Sequence, residues 1–342
     1  MNESEKISVI IPCYNAARYL SQALESLLWQ SYSHWECILI DDGSTDQSKE
    51  IYDTYASHDN RFQYIYQSNS GPSVARNKGI EIASGAYIQF LDADDIFPKN
   101  RFEECVGIFR NNPNCDVVYT EYMTYNKNSG FSRALPSKFP HDNVFKAMLL
   151  DHNRTFIATI HEFLFRKEIM VANKFDESLP IYCEDVECWI RIAESGATFI
   201  YLEKILAIYR FAGESLSSQE IKVHSAKLFI LEKYLSHPEV KYFRREYDIA
   251  CSYFKERLVI AYFMQKEFKV GWKKLIEQWG NSKMTGKLKM LGWFILMTIM
   301  KKETFALLRA NIILFTPLRW GGWKQFSVWS PTNDIVELLE ST

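Results

Sequence analysis

Short apolar runs alternate with helical patterns in the first part of the chain, and this alternation constrains the fold more than any other feature. The runs at 7–12, 37–40 and 87–91 are continuous and rich in β-branched and aromatic residues, as is typical of strands buried on both faces. From 17 to 30 apolar residues recur every three or four positions, which predicts an amphipathic helix. The pattern predicts a parallel sheet covered by helices, with ligand loops at the carboxyl ends of the strands.

The alternation continues along the chain. Further helices are predicted at 45–55, 73–83, 99–111 and 185–195, and further strands at 62–66, 116–120, 156–165 and 198–208. Between 121 and 140 the periodicity fails and Asn, Ser, Gly and Pro accumulate, which predicts a long loop of the kind that often forms a lid. Helical patterns dominate the remainder. We therefore expect an α/β domain at 1–217 and a mostly α-helical region at 218–342.

The formal net charge of −2 conceals an uneven distribution. Residues 266–324 contain twelve basic and three acidic side chains, so the rest of the chain is acidic. A basic segment of this kind predicts a polyanionic partner, either membrane headgroups or nucleic acid. Because its basic residues are interleaved with long apolar runs and no nucleic-acid-binding motif occurs, we expect no nucleic-acid partner.

Two apolar runs, 290–300 and 310–318, lie within this basic segment. Neither reaches the roughly 18 to 20 apolar residues that a helix needs to cross a bilayer. Lysines border the first run and tryptophans surround both, which favours a helix in the headgroup region of an anionic membrane surface. A helix buried in the core of the C-terminal region is the alternative.

The cysteine content and the N-terminal sequence both indicate where in the cell the protein is located. The seven cysteines are odd in number and form no CxxC pair, which favours reduced thiols. The polar N-terminal residues run directly into the first predicted strand, so no signal peptide is expected. We expect a cytoplasmic protein that is peripheral on the inner membrane face.

Acidic residues cluster at three predicted strand ends or helix starts, namely Asp41 with Asp42, Asp92 with Asp94 and Asp95, and Glu184 with Asp185. The carboxyl ends of strands in an open α/β sheet share one crevice, so these clusters can converge. Gathered carboxylates repel one another and require raised pKa values or a cation. Mg²⁺ or Mn²⁺ accepts oxygen ligands and phosphate oxygens, which makes a nucleotide diphosphate the natural substrate. The alternative is that the DADD cluster caps the helix that follows.

Four motifs of the N-terminal part, SVIIPCYN, LIDDGSTD, GPSVARNKGI and FLDADD, resemble those of family 2 glycosyltransferases in order and spacing. Further on, KFD followed by CEDVECWIR is similar to the acceptor-side segment of the same family. The resemblance implies a GT-A fold, which is a nucleotide-diphospho-sugar transferase fold with a Rossmann-like mixed sheet. It also implies an inverting enzyme that moves a sugar from a nucleotide sugar donor to a carbohydrate or lipid-linked acceptor, in polysaccharide or glycan assembly.

The resemblance assigns the nucleotide site to loops after the first two strands. Pro12, Tyr14 and Asn15 match the loop that holds the base, with the Tyr14 ring stacked on it. Asp42 matches the acid that accepts a hydrogen bond from the N3 proton of the base, and Asp41 shapes the turn. The alternative for Tyr14 is an aromatic residue on a surface loop.

The resemblance also implies which residues bind the metal and which residue is the general base. Asp92 and Asp94 look like the DXD pair that binds the divalent metal, Mg²⁺ or Mn²⁺, with Asp92 also close to the ribose. Asp185 looks like the general base. Arg76 matches a position that faces phosphates or Asp side chains, with a structural salt bridge as the alternative. Many relatives carry a His where this chain has Ala212.

Other classes and residues need separate interpretations. A sugar-nucleotide nucleotidyltransferase would carry a glycine-rich loop after the first strand, where this chain reads PCYN. A non-catalytic carbohydrate-binding relative would tolerate loss of the base, whereas Asp185 is retained. We interpret His161 and His224 as ordinary surface or core histidines.

Overall fold

The computed structural model describes residues 5–132, 135–179, 182–211, 219–281, 331 and 333–340. They belong to two units, one of Met1–Ser218 with Asn333–Thr342 and one of Gln219–Thr332. The sequence pattern grouped all of 218–342 as one region. The last helix instead packs on the first unit, where Ile335, Leu338 and Leu339 are buried.

The first unit is built on a mixed sheet, as the family resemblance implied. Its strands are β1 (Ile7–Cys13), β2 (Trp35–Asp41), β3 (Phe62–Tyr66), β4 (Tyr87–Phe90), β5 (Val117–Asn126), β6 (Gly130–Ser132), β7 (Phe163–Arg166) and β8 (Phe199–Arg210). They lie in the order β3-β2-β1-β4-β7-β5-β6, and β8 pairs with β5. The first four strands are parallel, whereas β7 runs antiparallel to both β4 and β5.

Helices cover the sheet and make up the second unit. They are α1 (Leu20–Leu28), α2 (Ser48–Ala56), α3 (Pro72–Ile82), α4 (Arg101–Asn111), α5 (Val144–Leu150), α6 (Lys167–Ala172), α7 (Glu184–Glu194), α8 (Glu220–Lys233), α9 (Arg244–Met264), α10 (Phe268–Asn281) and α11 (Asn333–Glu340). Two 3₁₀ helices lie at Ile160–Glu162 and Pro238–Phe243.

The core explains why the apolar runs are continuous. Every residue of β2 and β4 is buried, and β1 is buried except at Pro12. Helices on both faces leave no side of these strands for water. The helix α3 lies so close to β1 that a Cβ at Gly79 would collide with Ile10, which is why this position has no side chain.

Two predicted elements differ from the structure. The predicted loop at 121–140 contains the second half of β5 and the short β6, because β8 pairs with β5 in parallel from Glu121 to Tyr125. The predicted strand at 156–165 is confined to β7 and is preceded by a 3₁₀ turn. Thr159 and Glu162 cap this turn reciprocally, which prevents an extended backbone there.

In the second unit α9 and its neighbours bury an apolar face that includes Ile230, Phe254 and Phe263. No helix within the described residues is both long enough and apolar enough to cross a membrane. The apolar runs at 290–300 and 310–318, for which we predicted membrane contact, lie outside the described residues.

Candidate functional site

The two aspartates at the end of β2 each accept more than one hydrogen bond. The Asp42 carboxylate accepts from the backbone N–H groups of Ser70 and Gly71, each at 2.8 Å, and from Gln67 Nε2 at 2.8 Å. Four lone-pair directions are available on a carboxylate, so one remains for a ligand donor. Asp41 accepts from Ser44 N at 2.7 Å, which is consistent with a role in shaping the turn.

The loop after β1 presents an aromatic ring. Tyr14 is 55% exposed. Asn15 adopts a left-handed backbone with φ 51, which asparagine tolerates better than most residues. Its Oδ1 accepts from Thr45 N at 2.8 Å, and its own N donates to Ser44 Oγ at 3.0 Å. Asn15 therefore joins the β1 loop to the β2 loop beside the Tyr14 ring.

Pro12 occupies a position in β1 where a missing N–H is tolerated. The pairing of β1 with β4 ends at Ile10 and Phe90, so Pro12 lies beyond the last β4 partner. Proline cannot donate to a sheet ladder and is confined to such places. Here the strand passes into the loop of Tyr14 without an unpaired donor.

The loop after β4 carries three carboxylates, Asp92, Asp94 and Asp95, that accept fewer hydrogen bonds. Burial, followed by the neighbouring charges of Asp95 and Asp92, raises the pKa of Asp94 to about 8. Arg210 lies against this loop, since its backbone N donates to Asp95 Oδ1 at 2.7 Å and its Nε donates to the Asp94 carbonyl at 2.9 Å. Arg210 thus holds the loop, while burial and mutual repulsion favour a proton or a cation on its carboxylates.

Arg210 also connects this loop to the C-terminal helix. Its Nη2 donates to Gln22 Oε1, and Gln22 Nε2 donates to the backbone carbonyl of Leu338 in α11. Gln22 is 3% exposed, so the connection is internal to the first unit. The helix α11 therefore supports the loop of Asp94 through two buried side chains.

A buried histidine completes the surroundings of this loop. His161 Nδ1 lies 2.8 Å from Asp95 Oδ2, and both side chains are 1% exposed. Burial lowers the pKa of His161 to about 4, so its imidazole is neutral near pH 7. Ligand atoms of Asp92, Asp95 and His161 all lie within 4.8 Å of one another. Our interpretation of His161 as a surface or core histidine is right about burial but missed these neighbours.

Arg76 bridges two of the acidic clusters. From α3 its Nη2 reaches Asp92 Oδ1 at 3.2 Å and its Nη1 reaches Glu184 Oε1 at 2.9 Å. The Arg76 side chain is 7% exposed, so these charge-assisted bonds are shielded from water. Of the two predicted partners for Arg76, the structure shows the carboxylates.

Asp185 lies in the first turn of α7, beside Glu184. Burial raises its pKa, the charge of Glu184 raises it further, and the Arg76 guanidinium opposes both. The net direction is upward, which makes this carboxylate a stronger base than an ordinary aspartate.

The predicted residues fall into two groups joined by α3. Asp42 holds Gly71 at the start of this helix, and Arg76 extends from its second turn toward Asp92. The sequence analysis grouped Asp95 with Asp92 and Asp94 but gave it no role, and it assigned no role to Arg210. The DADD string was the available signal for Asp95, whereas nothing local marks Arg210. The Ala212 position lies outside the described residues.

The loop after β4 fits a divalent cation. Asp95 Oδ2 and His161 Nδ1 are buried and have no hydrogen bond of good geometry, although they face each other. Orphaned buried acceptors are rare in proteins and call for an explanation such as an ion. Oxygen and imidazole nitrogen donors suit Mn²⁺ and related metals.

Comparisons with known proteins agree on one family. The family model described as "Glycosyl transferase family 2" matches residues 8–171. TuaG of Bacillus subtilis (strain 168), a glycosyltransferase named for teichuronic acid biosynthesis, is 31% identical over 232 residues, covering 66% of this chain and 86% of TuaG. The glycosyltransferase GlyG of Streptococcus pneumoniae is 41% identical over 128 residues, or 37% of this chain and 42% of GlyG. Several relatives are thus longer than the part matched here.

Solved structures share the fold. TarS 1–349 of S. aureus superposes with a TM-score of 0.53 at 20% identity, covering 75% of this chain and 72% of that one. The mannosyltransferase PcManGT from Pyrobaculum calidifontis superposes with a TM-score of 0.57 at 17% identity, covering 90% of this chain and 84% of that one. At these identities the likeness shows the architecture alone, which is the GT-A fold.

Proposed function

Because this chain belongs to glycosyl transferase family 2, we propose that it is an inverting glycosyltransferase that moves a sugar from a nucleotide sugar to a saccharide or lipid-linked acceptor hydroxyl. The observation that carries this proposal is the ion-pair chain from Asp92 through Arg76 to Glu184. It ties the loop after β4 to the start of α7, which carries Asp185. The Asp185 carboxylate and the loop after β4 are thereby held in a fixed position relative to each other.

In the proposed reaction the acceptor hydroxyl attacks the anomeric carbon opposite the nucleotide. A new bond forms between the acceptor oxygen and this carbon, and the bond from the carbon to the diphosphate oxygen breaks. The hydroxyl proton passes to Asp185, whose raised pKa suits it to accept a proton near neutral pH. No covalent intermediate on the protein is required for inversion.

The donor is proposed to lie across the two groups of site residues. Tyr14 stacks on the base, the free lone pair of Asp42 accepts from it, and Pro12 and Asn15 hold the loop. Asp92 and Asp94 face the diphosphate, and Arg76 keeps Asp92 in place. A divalent cation, Mg²⁺ or Mn²⁺, held by Asp92 and Asp94 would neutralise charge on the departing diphosphate. TarS has been solved with UDP-GlcNAc and PcManGT with GDP-Man and Mn²⁺, which supports a nucleotide sugar donor.

A screen of nucleotide sugars with the full chain and Mn²⁺ tests this function. We expect one donor to raise the melting temperature and to release its nucleoside diphosphate slowly by hydrolysis. Asp185→Asn should keep the thermal shift and lose the release. Pyrophosphate release from a nucleoside triphosphate and a sugar 1-phosphate would instead show a nucleotidyltransferase. Binding without any turnover would indicate a carbohydrate-binding relative.

Membrane association of the basic segment is a separate proposal. In α10 the exposed Phe268 and Ile276 lie beside the exposed Lys269 and Lys273, which suits contact with anionic headgroups. Sedimentation with phosphatidylglycerol vesicles should fall when Lys283, Lys287 and Lys289 are changed to Glu. The matched control changes three exposed lysines of the first unit, Lys49, Lys99 and Lys127. Equal loss in both variants would refute a specific role for the basic segment.

A further inference from the structure

Three atoms suited to binding a metal converge behind the loop of β4. They belong to Asp92, Asp95 and His161, and all lie within 4.8 Å of one another. The side chains of Asp95 and His161 are 1% exposed, whereas that of Asp92 is 32% exposed. The cluster therefore reaches from the protein interior to the crevice at the carboxyl ends of the strands.

Thr159 contacts the second ring nitrogen of His161. The Thr159 hydroxyl donates to Glu162 Oε2 at 2.8 Å, and it lies 2.8 Å from His161 Nε2. Thr159 therefore contacts the ring on its Nε2 side, while Nδ1 faces Asp95.

His161 Nδ1 and Asp95 Oδ2 face each other across 2.8 Å. Neither His161 Nδ1 nor Asp95 Oδ2 makes a hydrogen bond of acceptable geometry. Two such buried polar atoms require a proton or a metal cation shared between them. Their poor hydrogen-bond geometry favours a pair of metal ligands over a donor and an acceptor.

The side chains of the nearby arginines are hydrogen-bonded to other groups. Arg101 donates to Gln89, Thr120 and the Leu206 carbonyl, and Arg210 reaches Asp95 through its backbone N. Arg76 is directed to Asp92 Oδ1 and Glu184. Within the described part of the chain, His161 is the one side chain at ion-pair distance from Asp95 Oδ2.

We propose that Asp92, Asp95 and His161 form an inner divalent-cation position, distinct from Asp94 and sharing Asp92 with the predicted Asp92–Asp94 pair. This inner position deepens the proposed function, on which its link to the donor rests, because Asp92 is common to both. The nitrogen ligand favours Mn²⁺ over Mg²⁺. Thr159 orients the ring from behind, as residues that contact the second nitrogen of a metal-binding histidine commonly do.

Titration of the metal-free full chain with Mn²⁺, in the absence of nucleotide, tests the inner position. The free-ion signal in electron paramagnetic resonance reports binding. We expect one tight Mn²⁺ per chain and at least tenfold weaker binding in His161→Gln. His152→Gln is the matched control, since it removes another buried imidazole from the same segment and should bind Mn²⁺ as the original chain does.

A spectroscopic measurement on the unchanged protein guards against misfolding of the variant. Pulsed electron paramagnetic resonance should show ¹⁴N coupled to the bound Mn²⁺, and this coupling should persist in Asp94→Asn. Absence of nitrogen coupling, or equal Mn²⁺ binding in His161→Gln, overturns the proposal and indicates a shared proton instead. Neither readout involves a sugar donor, so failure of the donor screen alone would refute the proposed function and leave the inner position standing.

Discussion

Buried carboxylates lie at both ends of the same sheet, and their surroundings are opposite. At the amino ends of the strands, Glu36 accepts from Lys6 Nζ at 2.8 Å, from Ser8 Oγ at 2.5 Å and from Ser84 N at 2.7 Å. Burial would raise the pKa of Glu36, but these hydrogen bonds outweigh it and hold the pKa at about 2. This carboxylate is a permanent anion that joins β1, β2 and the turn before β4.

At the carboxyl ends of the strands, burial has the opposite outcome. The pKa values of Asp94 and Asp185 are raised, because fewer donors compensate for lost water and other carboxylates lie nearby. Burial by itself therefore does not identify a carboxylate as functional. The number of donors around the carboxylate decides whether it stabilises the fold or remains available for a proton or a cation.

The largest expected effect is on catalysis at the carboxyl end. Asp185→Asn removes the proposed proton acceptor, so transfer should fall by about 10²- to 10⁴-fold. Donor affinity should stay within about twofold, because this carboxylate does not hold the nucleotide. Single-turnover transfer and isothermal titration with the donor measure the two quantities. Near-normal turnover would show that another group is the base.

The pH dependence of transfer should reveal the raised pKa of Asp185. The base acts when ionised, so kcat/KM should rise with pH and level off above the pKa. The midpoint should lie well above the ordinary aspartate value of 3.8. Below the midpoint the rate should fall about tenfold per pH unit. A flat profile from pH 5 to 8 would contradict the assignment.

Glu36, at the amino ends of the strands, should affect the stability of the fold and leave sugar transfer unchanged. Glu36→Gln should lower the free energy of unfolding by about 2 kcal/mol at pH 7, since it replaces charge-assisted bonds by neutral ones. The pKa of Glu36 is lower in the folded state, so its contribution is present above about 4.5, the ordinary value, and is lost as pH falls toward 2.

Urea unfolding at pH 7 and at pH 3 measures this change. The difference between the two proteins should shrink at the lower pH. Donor binding by the folded Glu36→Gln variant should match that of the original chain. A difference that persists unchanged at pH 3 would mean that packing, rather than charge, accounts for the loss.

The smallest expected effect concerns binding of the nucleobase by Tyr14. Tyr14→Ala should weaken nucleotide binding about tenfold, which corresponds to about 1.4 kcal/mol of lost stacking. Tyr242→Ala is the matched control, because this tyrosine is also exposed and belongs to the second unit. Titration of nucleoside diphosphate with Mn²⁺ compares the two. Equal affinities in the two variants would show that the nucleobase does not stack on Tyr14.

Much of the first unit follows from local pattern. The runs at 7–12 and 37–40 predicted β1 and β2 because strands covered on both faces must be apolar throughout. The acidic strings after β2 and β4 predicted the edge of the sheet where the candidate site lies. The extension of β5 could not be predicted in this way, because its partner β8 lies about eighty residues further along the chain.

The sequence by itself determined the strand-and-helix framework, the family and the carboxylates of the candidate site, since each depends on residues that are close in the chain. Tertiary structure alone decided which partners these carboxylates have. Arg76 meets Glu184 across 108 positions, and His161 meets Asp95 through packing of the 3₁₀ turn against the loop after β4. Hydrogen bonds and desolvation depend on such distant neighbours. They determine whether an aspartate is held by several donors, has a raised pKa or is available to bind a cation.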